Sequence, residues 1–174
     1  MALAKSKLGK IIIVVGLIII AGIIGYLLPR KPEIVIKETP TLYKVAEVID
    51  GDTITVEINN QIETVRFLGI DTPEVPNPYK PEGCFGKEAS QKAKELLENK
   101  KVYLIPDPLS SDKDKYNRLL RYVFLENGYF VNAELINEGF AYNYIYEPFQ
   151  FMKEFNRLEN LAKTNNVGLW LECE

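Results

Sequence analysis

Carboxylates and an arginine are concentrated in one short stretch of this chain, at Asp50, Asp52, Arg66, Asp71 and Glu74. Carboxylate oxygens bind hard divalent cations, and a positioned carboxylate can orient or deprotonate water. The planar fork of arginine can bind two phosphate oxygens at once. These residue types together suit metal-assisted hydrolysis of a phosphate ester. From composition alone, the alternative is the solvated acidic end of a β-hairpin.

A β-hairpin would bring these residues into one small volume. Apolar and polar residues alternate over residues 54–58, and a second strand-like run extends over residues 62–70. The Asn59-Asn60 pair between them tolerates the positive φ of a tight turn. Pairing the two runs places the Asp52 end beside the end of the second run, with paired Cα atoms about 5 Å apart. Pro73 then ends the strand, so alternation does not decide where the following side chains point.

Composition narrows the chemistry. The chain has 174 residues, 47% of them hydrophobic, which is enough for one globular domain and an additional segment. It contains no histidine, which excludes Ser-His-Asp hydrolysis, histidine acid–base chemistry and histidine-based zinc sites. Two cysteines, Cys84 and Cys173, are too few for a structural zinc site and suffice for one disulfide. Hydrolysis would therefore depend on carboxylates, arginines and a hard metal ion.

An apolar stretch near the N-terminus predicts a membrane anchor. Residues 11–28 are 18 consecutive uncharged, mostly apolar positions. As a helix they would extend about 27 Å, close to the hydrocarbon thickness of a bilayer. Residues 1–10 form a basic tail, and residues 29–41 a tether of prolines and charges. We expect an uncleaved signal anchor; the alternatives are a cleaved signal peptide and a buried core helix, and the flanking charges leave the orientation open.

From residue 42 onward the pattern is that of a globular domain. Strands are predicted at residues 42–49, 54–58, 62–70, 102–105 and 119–125, and helices at residues 86–99, 132–138 and 148–165. Asn132 is the predicted N-cap of the second helix, and Gly139 the residue that ends it. This succession predicts an α+β, mainly β fold over residues 42–174: a five-stranded OB-like barrel with three packed helices.

Five motifs in this domain resemble those of the staphylococcal nuclease (thermonuclease) family. They are IDGDT, VRFLGIDTPE, DKYNRLLRYV, YNYIYEP and a closing GLW, in the family's order across residues 42–170. A DTPE tetrapeptide alone is weak, and the ordered set is strong. The resemblance implies an OB-fold nuclease that requires calcium and cleaves DNA and RNA to leave 3′-phosphate products.

The resemblance assigns roles to the acidic residues. Asp52 and Asp71 match the family's calcium-binding carboxylates, and the main-chain carbonyl of Thr72 matches a third oxygen ligand. Asp50 matches a position just outside that ligand set. Glu74 matches the glutamate that orients or deprotonates the attacking water. Calcium takes about six to eight oxygen ligands, so two carboxylates, a carbonyl, waters and a phosphate oxygen would suit it.

Cationic and aromatic residues match the family's substrate contacts. Arg66 and Arg118 match two phosphate-binding arginines with catalytic roles. The matches near the terminal phosphate and the base pocket are Lys115, Tyr116, Tyr144 and Tyr146. Most have a simpler alternative: Arg66 as a satisfied barrel arginine, and Arg118 and the lysine as exposed loop charges. The alternative for Tyr144 and Tyr146 is that, with Tyr142, they line a core edge. Trp170 is predicted to serve packing and not ligand binding.

The chain departs from the family pattern in two respects. Asn117 occupies a position that is commonly glycine in the family, and asparagine is the next-best residue for a positive φ, so we expect the loop geometry to survive. Residues 38–174 contain 15 Lys and Arg against 23 Asp and Glu. That charge opposes binding to a polyanion and predicts weaker substrate capture at physiological salt.

Together these features predict a monomeric membrane protein with a single membrane-spanning segment. Its calcium-dependent nuclease domain is expected to face outward and to act on DNA and RNA. One alternative is a non-catalytic OB-fold module that binds single-stranded nucleic acid. A second is a surface calcium-binding or adhesion domain.

The cysteines bear on the orientation. Docking of the C-terminal end against the loop before the first helix would pair Cys84 with Cys173. A disulfide persists in an oxidising compartment, where calcium is also plentiful, so both expectations place residues 29–174 outside the cell. The alternative is two free, buried thiols in a domain that faces the cytosol.

Overall fold

The computed structural model describes residues 41–75 and 83–173. Its elements, in chain order, are β1 (Leu42–Val48), β2 (Thr53–Ile58), β3 (Gln61–Phe67), β4 (Ile70–Asp71), α1 (Gly86–Leu97), β5 (Lys101–Ile105), β6 (Leu119–Leu125), α2 (Val131–Asn137), β7 (Tyr142–Asn143), α3 (Met152–Asn165) and α4 (Leu169–Glu172). A closed barrel has the strand order β1-β2-β3-β6-β5, and β4 pairs with β7 in a separate two-stranded sheet. The predicted five-stranded barrel is confirmed.

Alternation in the strands builds the barrel core. Ile54 and Val56 of β2 and Val65 of β3 are fully buried, and Phe67 is nearly so. Successive strand residues point to opposite faces, so the residues between them face outward, and Arg66 is one of these. β3 and β6 are paired in parallel, with Arg66 opposite Leu120. The outer surface of the barrel at these two strands therefore carries the Arg66 side chain.

The first hairpin has the predicted turn, but its second strand is shorter than predicted. Asn59 and Asn60 have φ values of 51° and 62°. β3 ends at Phe67 instead of continuing to residue 70, and the chain turns at Gly69, whose φ is 78°. A Cβ at Gly69 would lie 2.7 Å from the Phe149 ring, so a larger residue could not make this turn. The break lets β4 leave the barrel and pair with β7.

Two helix predictions are wrong in detail. Asn132 is not an N-cap: α2 begins at Val131, so Asn132 lies inside its first turn, and the Asn132 side chain is completely buried. It accepts a hydrogen bond from Val123 N at 2.9 Å and donates one to the Leu68 carbonyl at 3.0 Å. The last long helix begins at Met152 instead of residue 148. Gly139 follows α2 with a φ of 73°, as predicted for the residue that ends a helix.

The C-terminal end adds an element that the sequence did not predict. α4 is a single turn that brings the number of helices in the described ranges to four, against three predicted. Just after it, Cys173 is paired with Cys84 in a disulfide, with the two Cα atoms 5.8 Å apart. The end of the chain is thus joined to the segment that leads into α1, the pairing expected from the sequence.

The predicted basic tail, membrane anchor and tether at residues 1–40 lie outside the described residues. Within residues 41–75 and 83–173, none of the helices has the length and apolar content needed to span a bilayer.

Candidate active site

A cleft of about 630 Å³ lies on the outer surface of the barrel, where the ends of β2, β3 and β4 face the loop before β6 and the segment after β7. All of the predicted metal, catalytic and substrate residues line it: Asp50, Asp52, Arg66, Asp71, Thr72, Glu74, Lys115, Tyr116, Arg118, Tyr144 and Tyr146. Six acidic and four basic side chains line the cleft in total. It therefore carries a net negative charge, which a bound cation would offset.

Arg66 organises one side of this cleft. It is paired with Thr53 in the β2–β3 ladder, which puts its guanidinium next to Asp52. Arg66 Nε lies 3.1 Å from Asp52 Oδ1, and Nη2 donates to Asp71 Oδ1 at 2.6 Å. Nη1 donates to the Phe67 and Ile70 carbonyls at 2.9 and 2.7 Å. The arginine therefore joins two carboxylates and closes the turn between β3 and β4.

Asp52 is the buried centre of the same side, with 5% of its surface exposed. Its Oδ2 accepts hydrogen bonds from Thr72 N at 2.7 Å and Thr72 Oγ1 at 3.0 Å, and its Oδ1 accepts one from Thr53 Oγ1 at 3.0 Å. Gly51 makes this approach possible, because a Cβ there would lie 2.7 Å from Thr72 Oγ1. The DGDT and DTPE motifs thus meet around a single carboxylate.

Asp50 and Asp71 are the two acidic residues whose ionisation is disfavoured here. Burial, followed by the charge of Asp52, raises the pKa of Asp50 to about 6. Burial also raises the pKa of Asp71, against the opposing effect of Arg66 and together with the charges of Asp52 and Glu74. No group of three or more His, Cys, Asp or Glu side chains in the described ranges is close enough to hold a metal ion by itself. Asp50, Asp52, Arg66, Asp71 and Glu74 are called the carboxylate cluster below.

The main chain of Glu74 is fixed by two glycines near the start of α1. Gly83 N donates to the Glu74 carbonyl at 2.9 Å. A Cβ on Gly86, the first residue of α1, would overlap the same carbonyl oxygen. The Glu74 side chain is exposed at the edge of the cleft. The helix start therefore positions the predicted catalytic glutamate.

Arg118, across the cleft, is held at one nitrogen only. Its Nε donates to Asp114 Oδ2 at 2.7 Å, and Asp114 Oδ1 accepts from the main-chain N–H groups of Tyr116 and Arg118, both at 2.9 Å. Although its partial burial acts in the opposite direction, these hydrogen bonds hold the pKa of Asp114 below its usual value. No described residue accepts a hydrogen bond from either terminal nitrogen of Arg118. The guanidinium fork is thus free for a ligand.

Sequence reasoning missed Asp114 as the residue that positions Arg118. The four-residue spacing between them was the available indication. Asn117, which lies between them, has a φ of 66°, so the expected positive φ at this position is confirmed. The tight turn that it allows brings the two side chains together.

The three tyrosines predicted at the site all face solvent. The exposed fractions are 68% for Tyr116, 48% for Tyr144 and 81% for Tyr146. Tyr142 differs, because its ring packs edge-on against Trp170 with centroids 5.4 Å apart. Of the tyrosines after α2, only Tyr142 therefore fits the alternative of a core edge, and the predicted packing of the tryptophan is confirmed.

Two cationic side chains lie close to the Tyr116 ring. Lys115 Nζ lies 5.0 Å from the centre of the Tyr116 ring, and the Arg118 guanidinium lies 5.4 Å from it. Lys115, Tyr116, Arg118, Tyr144 and Tyr146 are called the cation–aromatic cluster below. Exposed rings next to cations can stack on bases while the cations contact phosphates.

The sequence relationships agree with this geometry. Residues 64–172 match the family model described as staphylococcal nuclease homologue. The chain belongs to the staphylococcal nuclease family. It is 34% identical to a thermonuclease of Staphylococcus hyicus over 170 residues, which cover 95% of this chain and 98% of that protein. It is 39% identical to an uncharacterized protein of Methanocaldococcus jannaschii, over 73% of this chain and 70% of the relative.

Another relative is much longer than the matched segment. The SPbeta prophage-derived endonuclease YokF of Bacillus subtilis is 40% identical over 124 residues, which are 70% of this chain and 41% of the endonuclease. The staphylococcal nuclease homologue region starts inside β3, so it contains Arg66, Asp71 and Glu74 together with the cation–aromatic cluster. Both sides of the cleft thus lie largely in the part of the chain that matches the family model.

Proposed function

We propose that this member of the staphylococcal nuclease family is a calcium-dependent nuclease that hydrolyses phosphodiester bonds of DNA and RNA to 3′-phosphate products. The observation that carries the proposal is a single cleft in which the carboxylate cluster faces a free guanidinium fork and exposed tyrosines. The thermonuclease and endonuclease named among its relatives support the reaction class.

The residues of the carboxylate cluster fit a calcium ion in donor type and charge. The second carboxylate oxygen of Asp71 accepts no hydrogen bond from any described residue. Asp52 is more fully engaged, since each of its oxygens already has two partners in the protein. It would have to exchange one threonine hydroxyl donor for the cation. All the predicted ligands are oxygens, as a hard cation requires, and when bound the ion would neutralise phosphate charge and template the phosphate.

The protein groups supply the remaining steps of hydrolysis. Glu74, at the cleft edge, accepts a proton from water as the water oxygen bonds to phosphorus. The bond from phosphorus to the 5′ oxygen breaks, and the 5′ oxygen takes a proton from solvent water, to which Glu74 later releases its own, so the phosphate stays on the 3′ side. The free fork of Arg118 binds the phosphate oxygens on which charge develops. Arg66 holds Asp52 and Asp71 in place and has part of one terminal nitrogen left for phosphate.

The cation–aromatic cluster binds the strand. Stacking of a base on an exposed tyrosine is tolerant of sequence and contributes about 1–3 kcal/mol per base. Lys115 lies beside Tyr116, where it can contact the phosphate of the stacked nucleotide. A single strand exposes its bases to such stacking, so we expect single-stranded substrates to be cleaved fastest.

Digestion of single-stranded DNA by the purified full-length protein, with calcium or with excess chelator, tests the proposal. We expect cleavage only with calcium, and slower cleavage with magnesium because its octahedral shell dehydrates reluctantly. The Asp71→Asn variant, prepared in parallel, controls for contaminating nucleases. Equal cleavage with calcium and with chelator would exclude the metal assignment. Binding without cleavage would instead favour a non-catalytic OB-fold module.

We also propose that the protein is a monomer anchored in the membrane by residues 11–28, with residues 29–174 outside the cell. The Cys84–Cys173 disulfide supports the outer location, because such bonds persist in oxidising compartments. Thiol labelling of unreduced, denatured protein from intact cells tests the disulfide, and protease added from outside tests the orientation. Two labelled cysteines and a protected domain would show that the orientation is the reverse.

A further inference from the structure

Two segments that form the far side of the cleft are joined through one carboxylate. The first is residues 109–118, which carry Lys115, Tyr116 and Arg118, and the second is residues 144–149, which carry Tyr144 and Tyr146. Both are irregular segments outside the barrel strands, so side-chain contacts must set their separation. Glu147 belongs to the second segment and reaches the first.

Glu147 accepts three hydrogen bonds from two adjacent serines. Its Oε1 accepts from Ser110 Oγ at 2.6 Å and from Ser111 N at 2.9 Å, and its Oε2 accepts from Ser111 Oγ at 3.0 Å. The hydrogen bond from Ser110, with those from Ser111, holds the pKa of Glu147 below its usual value. Ser111 and Glu147 both line the cleft.

The other ties of these segments lie away from this contact. Residues 112–118 are bonded back to β6, for example by Leu120 N, which donates to the Asp112 carbonyl at 3.0 Å. The second segment is held by Tyr144 N, which donates to the Gly69 carbonyl at 2.9 Å, and by Gln150 N, which donates to Asp107 Oδ2 at 2.7 Å. For residues 145–148, the hydrogen bonds to other described residues are those of the Glu147 side chain.

We propose that Glu147 is a positioning residue for strand binding, whose bonds to Ser110 and Ser111 fix Tyr144 and Tyr146 relative to Lys115 and Tyr116. The inference rests on the proposed function. A residue chosen only for electrostatics would not be acidic here, because a negative charge in this cleft repels a polyanion. Three hydrogen bonds to a carboxylate outweigh that repulsion if they keep the rings and cations at the separation that a bound strand requires.

Serine variants separate the effect of the hydrogen bonds between the two segments from the effect of the negative charge of Glu147. The double variant Ser110→Ala/Ser111→Ala removes two donors and keeps the carboxylate, whereas Ser110→Thr/Ser111→Thr keeps both hydroxyls. Affinity would be measured in chelator as fluorescence anisotropy of labelled single-stranded oligothymidylate, and KM and kcat in calcium, on the full-length protein. We expect the alanine pair to raise Kd and KM about fivefold to tenfold, the scale of the net contribution of one ordinary protein hydrogen bond, with kcat nearly unchanged. The threonine pair should restore both.

Glu147→Gln completes the design. Combined with the alanine pair it should add little, because only the hydrogen bond from Ser111 N then remains to be weakened. If instead Glu147→Gln tightens binding equally with and without the serines, the glutamate acts through charge alone and the proposal is wrong. The proposal is also wrong if the alanine pair binds and cleaves as the parent does. If the parent itself neither binds nor cleaves the oligonucleotide, the proposed function fails first and this role fails with it.

Discussion

In the carboxylate cluster the central side chains, Asp52 and Arg66, are held by hydrogen bonds and ion pairs within the protein. In the cation–aromatic cluster the tyrosine rings and the terminal nitrogens of Arg118 are left available to a ligand. Asp52 has 5% of its surface exposed and two partners for each carboxylate oxygen, while Tyr146 across the cleft is 81% exposed. The two arginines show the same contrast, since Arg66 is bonded at all three of its guanidinium nitrogens and Arg118 only at Nε. One side is therefore built before the substrate arrives, and the other is completed by it.

This difference follows from where each cluster lies in the fold. Apart from Glu74, which follows β4, the carboxylate cluster lies on paired strands and the turns between them, so backbone pairing places Asp52 next to Arg66. The cation–aromatic cluster lies on loops, which are held by acidic side chains such as Asp114 and Glu147. Rigid placement suits chemistry, which requires a fixed geometry, and exposed rings on loops suit sequence-tolerant binding.

Replacement of Arg118 should have the largest effect on activity. Arg118→Ala should lower the cleavage rate by about 10³–10⁵, as for arginines that stabilise charge on a transferring phosphate. Arg118→Lys should rescue little, because lysine lacks the fork that binds two oxygens. Single-turnover cleavage measures the loss, and the unfolding midpoint in urea should stay close to that of the parent. Cleavage by Arg118→Ala near the parent rate would remove this residue from the catalytic machinery.

Replacement of Arg66 should instead mainly affect stability. Arg66→Ala leaves the buried Asp52 carboxylate without its ion-pair partner, which should lower the free energy of unfolding by about 3–5 kcal/mol. Arg118→Ala is the matched control, since its ion pair is more exposed and should contribute about 1 kcal/mol or less. Urea denaturation of both variants measures the difference. Equal losses of stability would mean that the two arginines are not held differently.

Much of the carboxylate cluster follows from the sequence, because its contacts are local. Alternating apolar residues and the Asn59-Asn60 turn predict the hairpin, and the hairpin alone predicts that Asp52 meets the end of β3. The break at Gly69 was not predicted, since it depends on the distant Phe149 ring. The short β4–β7 sheet was also missed, because it pairs two strands that are far apart in the sequence.

Contacts between distant segments account for the other errors. Asn132 has the residue type of a helix cap, but its amide bonds to backbone groups near Leu68 and in β6, a choice that only tertiary packing can make. Glu147 and its two serines are more than 30 residues apart in sequence, and no pattern of spacing marks them. The residues to which we assign chemistry were therefore proposed from the sequence, and the residues that position the loops were not.

Loss of a single exposed ring should have the smallest effect. Tyr146→Ala should weaken binding of single-stranded DNA by about 1–3 kcal/mol, the contribution of stacking on one base, and leave stability unchanged. Tyr142→Ala provides the contrast, because this ring packs on Trp170 and its loss should lower stability without weakening binding. Anisotropy titration in chelator and thermal unfolding measure the two effects. Equal weakening of strand binding by both variants would argue against a distinct cation–aromatic cluster.

The most direct test measures strand affinity and single-turnover cleavage on the same oligonucleotide for the parent and Glu74→Gln. Glu74 is assigned to the activation of water and not to strand binding, so the variant should bind the strand in chelator as tightly as the parent does. In calcium it should cleave about 10²–10⁴ times more slowly, the usual contribution of a general base. Cleavage by Glu74→Gln at the parent rate, or loss of affinity equal to the loss of rate, would contradict the assignment of Glu74 to the chemical step and not to strand binding.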